Sequence, residues 1–169
     1  ECNIDIVPIP SQYKSADKLV QKARATIGYS PYYPDEGDMI WCVFDRDDNT
    51  NAMLSKSKQV AIKEGYQIAF SNPSFEVWFL LHFSFMQSDL HRTSYWPKLS
   101  EILTSLDVGE YEKNRTDMYQ ILLPYMDSAI ANSKKLDKIN KGKLPSASAP
   151  GTKVYELVEK LKPYLDKNP

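Results

Sequence analysis

Three carboxylates crowd into the four positions Asp45-Arg46-Asp47-Asp48, directly after the apolar run Met39-Ile40-Trp41-Cys42-Val43-Phe44. The run has the β-branched and aromatic character of a buried strand. A strand that stops on acids presents them at its carboxyl end, which is where open α/β sheets bind ligands. Carboxylates at i and i+2 on such an end can converge on one hard divalent cation such as Mg²⁺, which takes one or two carboxylates and keeps several waters. Metal-assisted phosphoryl chemistry at Asp45, Asp47 and Asp48 is therefore one reading. A strand simply capped by solvated acids is the other, since strand ends are commonly polar, and the pattern alone leaves both open.

Spacing narrows the chemistry. Asp45-x-Asp47-x-Asn49-x-Asn51 starts like a calcium loop, but Thr50 stands where the sharp turn needs Gly, and Lys56 where the loop needs Glu. This excludes an EF-hand. A phosphatase with Asp45 as nucleophile and Asp47 as acid/base would want Thr or Val at Asn49, and its downstream lysine and acid pair is not evident. A glycosyltransferase-type Asp-x-Asp remains formally open. Neither explains a second unusual stretch, Ser71-Asn72-Pro73-Ser74-Phe75-Glu76-Val77-Trp78-Phe79-Leu80-Leu81-His82-Phe83. With Asn72 as N-cap and Pro73 at the first helical position, it predicts a helix from residue 74 to about 85 that is apolar nearly all round and hence buried. Glu76 in the first turn suits the helix dipole. Its apolar neighbours also demand a cation or donors to replace lost water, which favours a place in or beside a metal site. His82, about 240° further round the helix, does not share that face and reads as a hydrogen-bonded core histidine rather than a base.

The elements that must position these groups follow a β-then-α rhythm. Residues 4–9 alternate like a strand, with Pro8 marking an edge or an end. Ser15 as N-cap followed by Ala16, Leu19, Val20, Ala23 and Ile27 predicts a helix closed by Gly28. Residues 29–38, with two prolines and a glycine, are irregular. Asn49-Thr50-Asn51 caps a second helix through Met53, Leu54, Val60 and Ala61 to a stop at Gly65, and residues 66–70 form the next strand. Strands separated by helices of about a dozen residues imply right-handed crossovers and a mainly parallel sheet.

The remainder is helical. Leu99, Ile102, Leu103 and Leu106 make one stripe. Met118, Ile121, Leu122, Tyr125, Met126, Ala129 and Ile130 make a longer one that Pro124 bends or divides. Val154, Leu157, Val158 and Leu161 mark a last helix. Between these, residues 133–152 are rich in Lys, Ser and Pro and read as a mobile loop. Its lysines are either solvated or contacts for nucleic acid or a partner, with Lys134, Lys135 and Lys138 as the candidates. The chain thus divides into an α/β core over residues 1–86 and a C-terminal helical region over 87–169, packed on the same core.

At 169 residues the chain has length for one domain with its own core. A formal net charge of −1 excludes a protein that coats nucleic acid through bulk charge. No apolar run approaches the roughly 20 residues of a membrane helix, and the first residues lack a signal pattern, so a soluble cytoplasmic protein is expected. Cys2 and Cys42 make no disulfide framework, and with His82 and His91 they give no zinc spacing.

Val43-Phe44-Asp45-Arg46-Asp47-Asp48-Asn49 and the stretch from Ser71 to Phe83 together resemble the RloB-like family of prokaryotic defence-associated proteins. Members are typically encoded beside an ATPase and implicated in abortive phage immunity. Residues 111–136 and Val154-Tyr155-Glu156-Leu157-Val158 also match the family's layout, so the resemblance covers essentially the whole chain. The family is similar to TOPRIM domains, the metal-binding fold of topoisomerases, primases and overcoming-lysogenization-defect nucleases. The resemblance implies a TOPRIM-like, mainly parallel sheet flanked by helices, and an Mg²⁺- or Mn²⁺-dependent nuclease acting on DNA or RNA with an ATPase partner. It is compatible with a homo-oligomer and involves no membrane. It implies that Asp45 and Asp47 bind the metal, with Asp48 as a secondary ligand or hydrogen-bonding neighbour. Glu76 would tune the catalytic site, with Asn72 and His82 in support. One departure stands out. TOPRIM domains carry an essential Glu just after their first strand, in a Glu-Gly context that Glu1 lacks. The sequence starts at what looks like the second strand, so the general acid/base is expected upstream of Glu1. If there is none, the resemblance leaves a non-catalytic sensing or assembly subunit that docks the ATPase.

Overall fold

The computed structural model describes residues 5–28, 31–88 and 90–165. Its first regular element is helix α1 (Ala16–Ile27), whose buried residues Ala16, Val20 and Ala23 follow the spacing read from the sequence. Strand β1 (Trp41–Asp45), helix α2 (Asn51–Glu64) and strand β2 (Gln67–Asn72) then form the expected β-α-β unit. The strands pair in parallel, from Trp41 opposite Gln67 to Asp45 opposite Ser71. Helix α2 starts where the Met53 amide donates to Thr50 Oγ1 at 3.3 Å and ends at Gly65 with φ 73°, a left-handed value at which only glycine escapes a Cβ penalty.

Helices α3 (Glu76–Phe83), α4 (Tyr95–Ser105), α5 (Met118–Leu122) and α6 (Met126–Asn140) follow, then strand β3 (Gly151–Thr152) and helix α7 (Val154–Leu165). Helices α1 and α2 cover one face of the sheet through Val20, Ala23, Ile40, Cys42, Ala61 and Tyr66. Helices α3, α6 and α7 cover the other through Ala69, Trp78, Ala129, Ile130, Val154 and Tyr155. A third cluster, including Val77, Leu80, Leu81, Tyr95, Leu99, Leu103 and Leu136, packs α3 against α4 and α6. Helix α3 therefore has protein on both sides, which is why its sequence is apolar nearly all round. The result is an α/β fold, mostly helical, around a small mixed sheet in the order β1-β2-β3. Among the described residues no helix is long and apolar enough to cross a membrane.

Several expectations change. Of the strand expected over residues 4–9, residue 4 lies outside the described residues and the rest is irregular, with Ile6 and Val7 exposed. Pro8 and Pro10 remove two amide donors from the same edge, because alternate residues of a strand face the same way. The strand before the acids is half-buried rather than buried. β1 is an edge strand whose Val43 is exposed, and among the described residues nothing pairs with its other edge. Residues 29 and 30 lie outside the described residues, and the rest of 29–38 holds only a 3-10 turn, Pro34–Glu36. Asn72 is not a helix cap. It pairs with Gly151 as the last residue of β2, a cis peptide joins it to Pro73, and α3 begins only at Glu76.

The largest change concerns residues 133–152. Helix α6 continues to Asn140, with Ala129, Ile130, Ser133 and Leu136 buried at helical spacing. Lysines on its outer face gave this segment a loop-like composition and hid the stripe. Further on, Gly151 and Thr152 pair antiparallel with Asn72 and Ser71, so the C-terminal half supplies the sheet's third strand and the sheet is mixed. A Cβ at Gly151 would lie 2.7 Å from the Ser148 carbonyl oxygen, so only glycine fits there. Pro124 divides its stripe, placing the 3-10 turn Leu123–Tyr125 between α5 and α6.

Candidate functional site

Parallel pairing brings both unusual stretches to one end of the sheet. Asp45 closes β1 opposite Ser71, and the next amide, Arg46 N–H, donates to the Ser71 carbonyl at 2.8 Å. One strand over, β2 ends at Asn72 and α3 opens at Glu76. Both motifs leave from the carboxyl ends of adjacent parallel strands, where such sheets place their ligands.

Beyond Asp45 the chain turns sharply. Asp47 takes φ 41°, a left-handed value that Asp tolerates better than most residues. The Asn49 amide closes the turn on the Arg46 carbonyl at 2.8 Å. The buried Asn49 side chain then pins the loop in two directions. Its Nδ2 donates to the Asp45 carbonyl at 3.3 Å, and its Oδ1 accepts the Ala16 amide, at the start of α1, at 2.7 Å. Asp45 is half-buried, whereas Asp47 and Asp48 are exposed.

Glu76 is only 6% exposed. Its Oε1 accepts Trp96 Nε1–H at 3.0 Å and the Tyr111 hydroxyl at 3.2 Å. The Ser74 hydroxyl and the residue's own amide also donate to the carboxylate. Burial pushes its pKa up, but these four donors outweigh that and hold it below the ordinary value, so Glu76 is ionised. The Tyr111 hydroxyl is pushed far up, first by burial, then by the charge and hydrogen bond of Glu76, then by the charge of Asp45. Tyr111 is thus bonded to Glu76 and lies in the fields of both carboxylates.

The other sequence candidates have different surroundings. His82 is a buried core histidine, as its position on α3 suggested. Its Nδ1 bonds the Trp78 carbonyl at 2.9 Å, and its ring packs edge-on against Trp78 at 4.7 Å. Burial lowers its pKa to about 4 against the pull of the Trp78 and Phe79 carbonyls, so it is neutral at physiological pH and bonded within its own helix. Asn72 is fully buried and anchors the 145–148 segment, donating to the Pro145 carbonyl at 2.7 Å and Ser148 Oγ at 3.4 Å. Beside it, the Ser71 and Thr152 hydroxyls bond at 2.9 Å. Lys134, Lys135 and Lys138 project from α6. Lys134 pairs with Glu159 at 2.6 Å, Lys135 lies over the Phe85 ring at 5.5 Å, and Lys138 is exposed. Cys42 is buried, which pushes its thiol up to about 11, and Cys2 lies outside the described residues.

Sequence reasoning missed Asn49 as a pin, and Trp96 and Tyr111 as partners of Glu76. The one available signal was the buried Glu itself, which required donors without naming them. Among the described residues no group of three or more His, Cys, Asp or Glu side chains is placed to hold a metal ion, so Asp45, Asp47 and Asp48 do not form a three-carboxylate cage. The donor chemistry still suits a hard cation that takes one or two carboxylates and keeps its waters. Asp45 ends the strand and Asp47 lies within the tight turn that follows, so both carboxylates of that kind belong to this strand end.

Fold and site together define an α/β protein whose acid-tipped strand neighbours a buried, ionised carboxylate. The chain belongs to the RloB-like family: the family model, described as RloB-like protein, matches residues 2–161. No match was found among curated proteins or among solved structures.

Proposed function

We propose that the chain is an Mg²⁺- or Mn²⁺-dependent, TOPRIM-class nuclease effector acting on DNA or RNA in the cytoplasm, in antiphage defence beside an ATPase. The observation that supports it is that the strand ending in Asp45 and the strand leading into Glu76 are parallel neighbours, so that both motifs leave from one end of the sheet, with Tyr111 bonded to Glu76 and in the field of Asp45. Asp45 and Asp47, with Asp48 at the rim, are the residues that would hold the cation. When bound, it would stabilise charge on the scissile phosphate and lower the pKa of a water. Glu76 contributes a fixed negative charge, Tyr111 stays protonated and donating, and Asn49 holds the turn that carries Asp45 and Asp47. In the test, the full gene product is incubated with tRNA, plasmid and single-stranded DNA in Mg²⁺ or Mn²⁺. Cleavage that Asp45→Asn and Asp47→Asn abolish is expected, and undiminished cleavage in those variants overturns the assignment.

A second reading is a non-catalytic subunit that docks the ATPase. It is favoured by Glu76, whose charge is already matched by four donors in the manner of a structural carboxylate. On that reading wild type and Asp45→Asn are equally inactive on all three substrates and bind the ATPase equally well.

A further inference from the structure

The tryptophan that closes over Glu76 is itself uncovered. Trp96 donates its Nε1–H to Glu76 Oε1 at 3.0 Å, yet the residue is 45% exposed. Helix α4 turns Tyr95, Leu99 and Leu103 into the core, which leaves Trp96 on its flank. A large aromatic ring normally hides its faces and lets only its polar tip reach a partner. Here the tip points inward and much of the residue faces water. Two contacts fix the ring's orientation: the bond to Glu76, and edge-to-face packing on Tyr111 at 5.8 Å and 78°. Tyr111 is braced in turn by Phe79 at 6.1 Å and feels the charge of Asp45. An oriented, solvent-facing aromatic whose polar tip is held by the Glu76 carboxylate has the geometry of a stacking platform for a base.

We propose that Trp96 stacks an unpaired nucleobase of the substrate, so that the site accepts single-stranded segments of nucleic acid in preference to intact duplex. The proposal rests on the nuclease reading and names its substrate class. Bases in a duplex are already stacked and must be flipped out before a side chain can reach a face, whereas single strands offer theirs directly. Every base has a π-face, so the platform serves DNA and RNA alike.

The test measures binding under conditions that do not cleave, in EDTA and in Ca²⁺, by anisotropy of labelled oligo-dT, oligo-U and a duplex. Wild type is compared with Trp96→Phe and Trp96→Leu. Both variants lose the bond to Glu76, but only Phe keeps an aromatic face. Wild type should prefer both single strands to the duplex, Trp96→Phe should stay within about threefold, and Trp96→Leu should lose roughly 10- to 100-fold. An abasic oligonucleotide, a probe that needs no variant, should bind wild type as weakly as Trp96→Leu binds oligo-dT. Equal losses in the two variants would reduce Trp96 to a donor for Glu76 and overturn the proposal. So would equal affinity for duplex, full affinity for the abasic strand, or no binding in either buffer. A chain that binds in this pattern but never cleaves keeps the platform and rejects the nuclease reading, whereas one that cleaves without it does the reverse.

Discussion

Asp47 and Asp48 stand exposed on a tight turn, while Glu76, one strand away, is 6% exposed and receives four hydrogen-bond donors. The turn is held from below by Asn49, whose side-chain amide bonds the backbone of Asp45 and of Ala16. The Glu76 pocket is held through the carboxylate itself. A loop pinned by its backbone can present acids to a ligand. A carboxylate saturated by Ser74, Trp96 and Tyr111 instead sets the charge and rigidity of what surrounds it.

That contrast can be broken at three points. Glu76→Ala strands the buried Tyr111 hydroxyl and the Ser74 donor, and should cost about 2–4 kcal/mol of unfolding free energy in urea. Glu76→Gln retains an acceptor and should cost about half as much. Acid titration sharpens the point. A folded pKa below the ordinary 4.5 means that stabilisation from the Glu76 charge is complete above that value and lost as pH falls through the depressed folded value. Wild type should show this slope and Glu76→Gln should not. A cost for Glu76→Ala below about 0.5 kcal/mol would remove the distinction between pocket and loop.

Asn49→Ala comes next, because it removes the acceptor for the Ala16 amide and the donor to the Asp45 carbonyl. A loss of about 1–2 kcal/mol is expected from the urea midpoint at constant slope. Asn49→Asp, which keeps the acceptor at the start of α1, should recover part of it. Asp48→Asn should change stability least, within about 0.5 kcal/mol by the same measurement, since the residue is exposed. A larger loss there would show that the loop's acids are structural as well.

Much of the fold was legible because burial along a helix repeats every three to four residues, and that repeat is written locally. It marked α1, α2, α4 and α7, and the all-round apolar character of α3 announced its central position. The same logic failed where composition spoke louder than period. Lys134, Lys135 and Lys138 made a buried-faced helix look like a loop. Two residues, Gly151 and Thr152, are too few to carry a strand pattern, so the third strand left no trace. Asn72 looked like a cap because Asn-Pro commonly starts helices, but its amide is taken up by the Pro145 carbonyl.

By itself, the sequence determined that acids would cluster at the end of a strand, that a helix apolar nearly all round would follow the next strand, and that a glutamate within it would need compensation. Those properties depend on residue type and near-neighbour spacing. Only the tertiary structure decided what that compensation is. Two of the four donors to Glu76 come from Trp96 and Tyr111, 20 and 35 positions along the chain, and the Asn49 pin reaches Ala16, 33 positions back. Hydrogen bonds across such separations depend on how helices pack against the sheet, and no local pattern encodes them. The acid-tipped strand could thus be read in advance, whereas the donors gathered around Glu76, and the exposed tryptophan among them, could not.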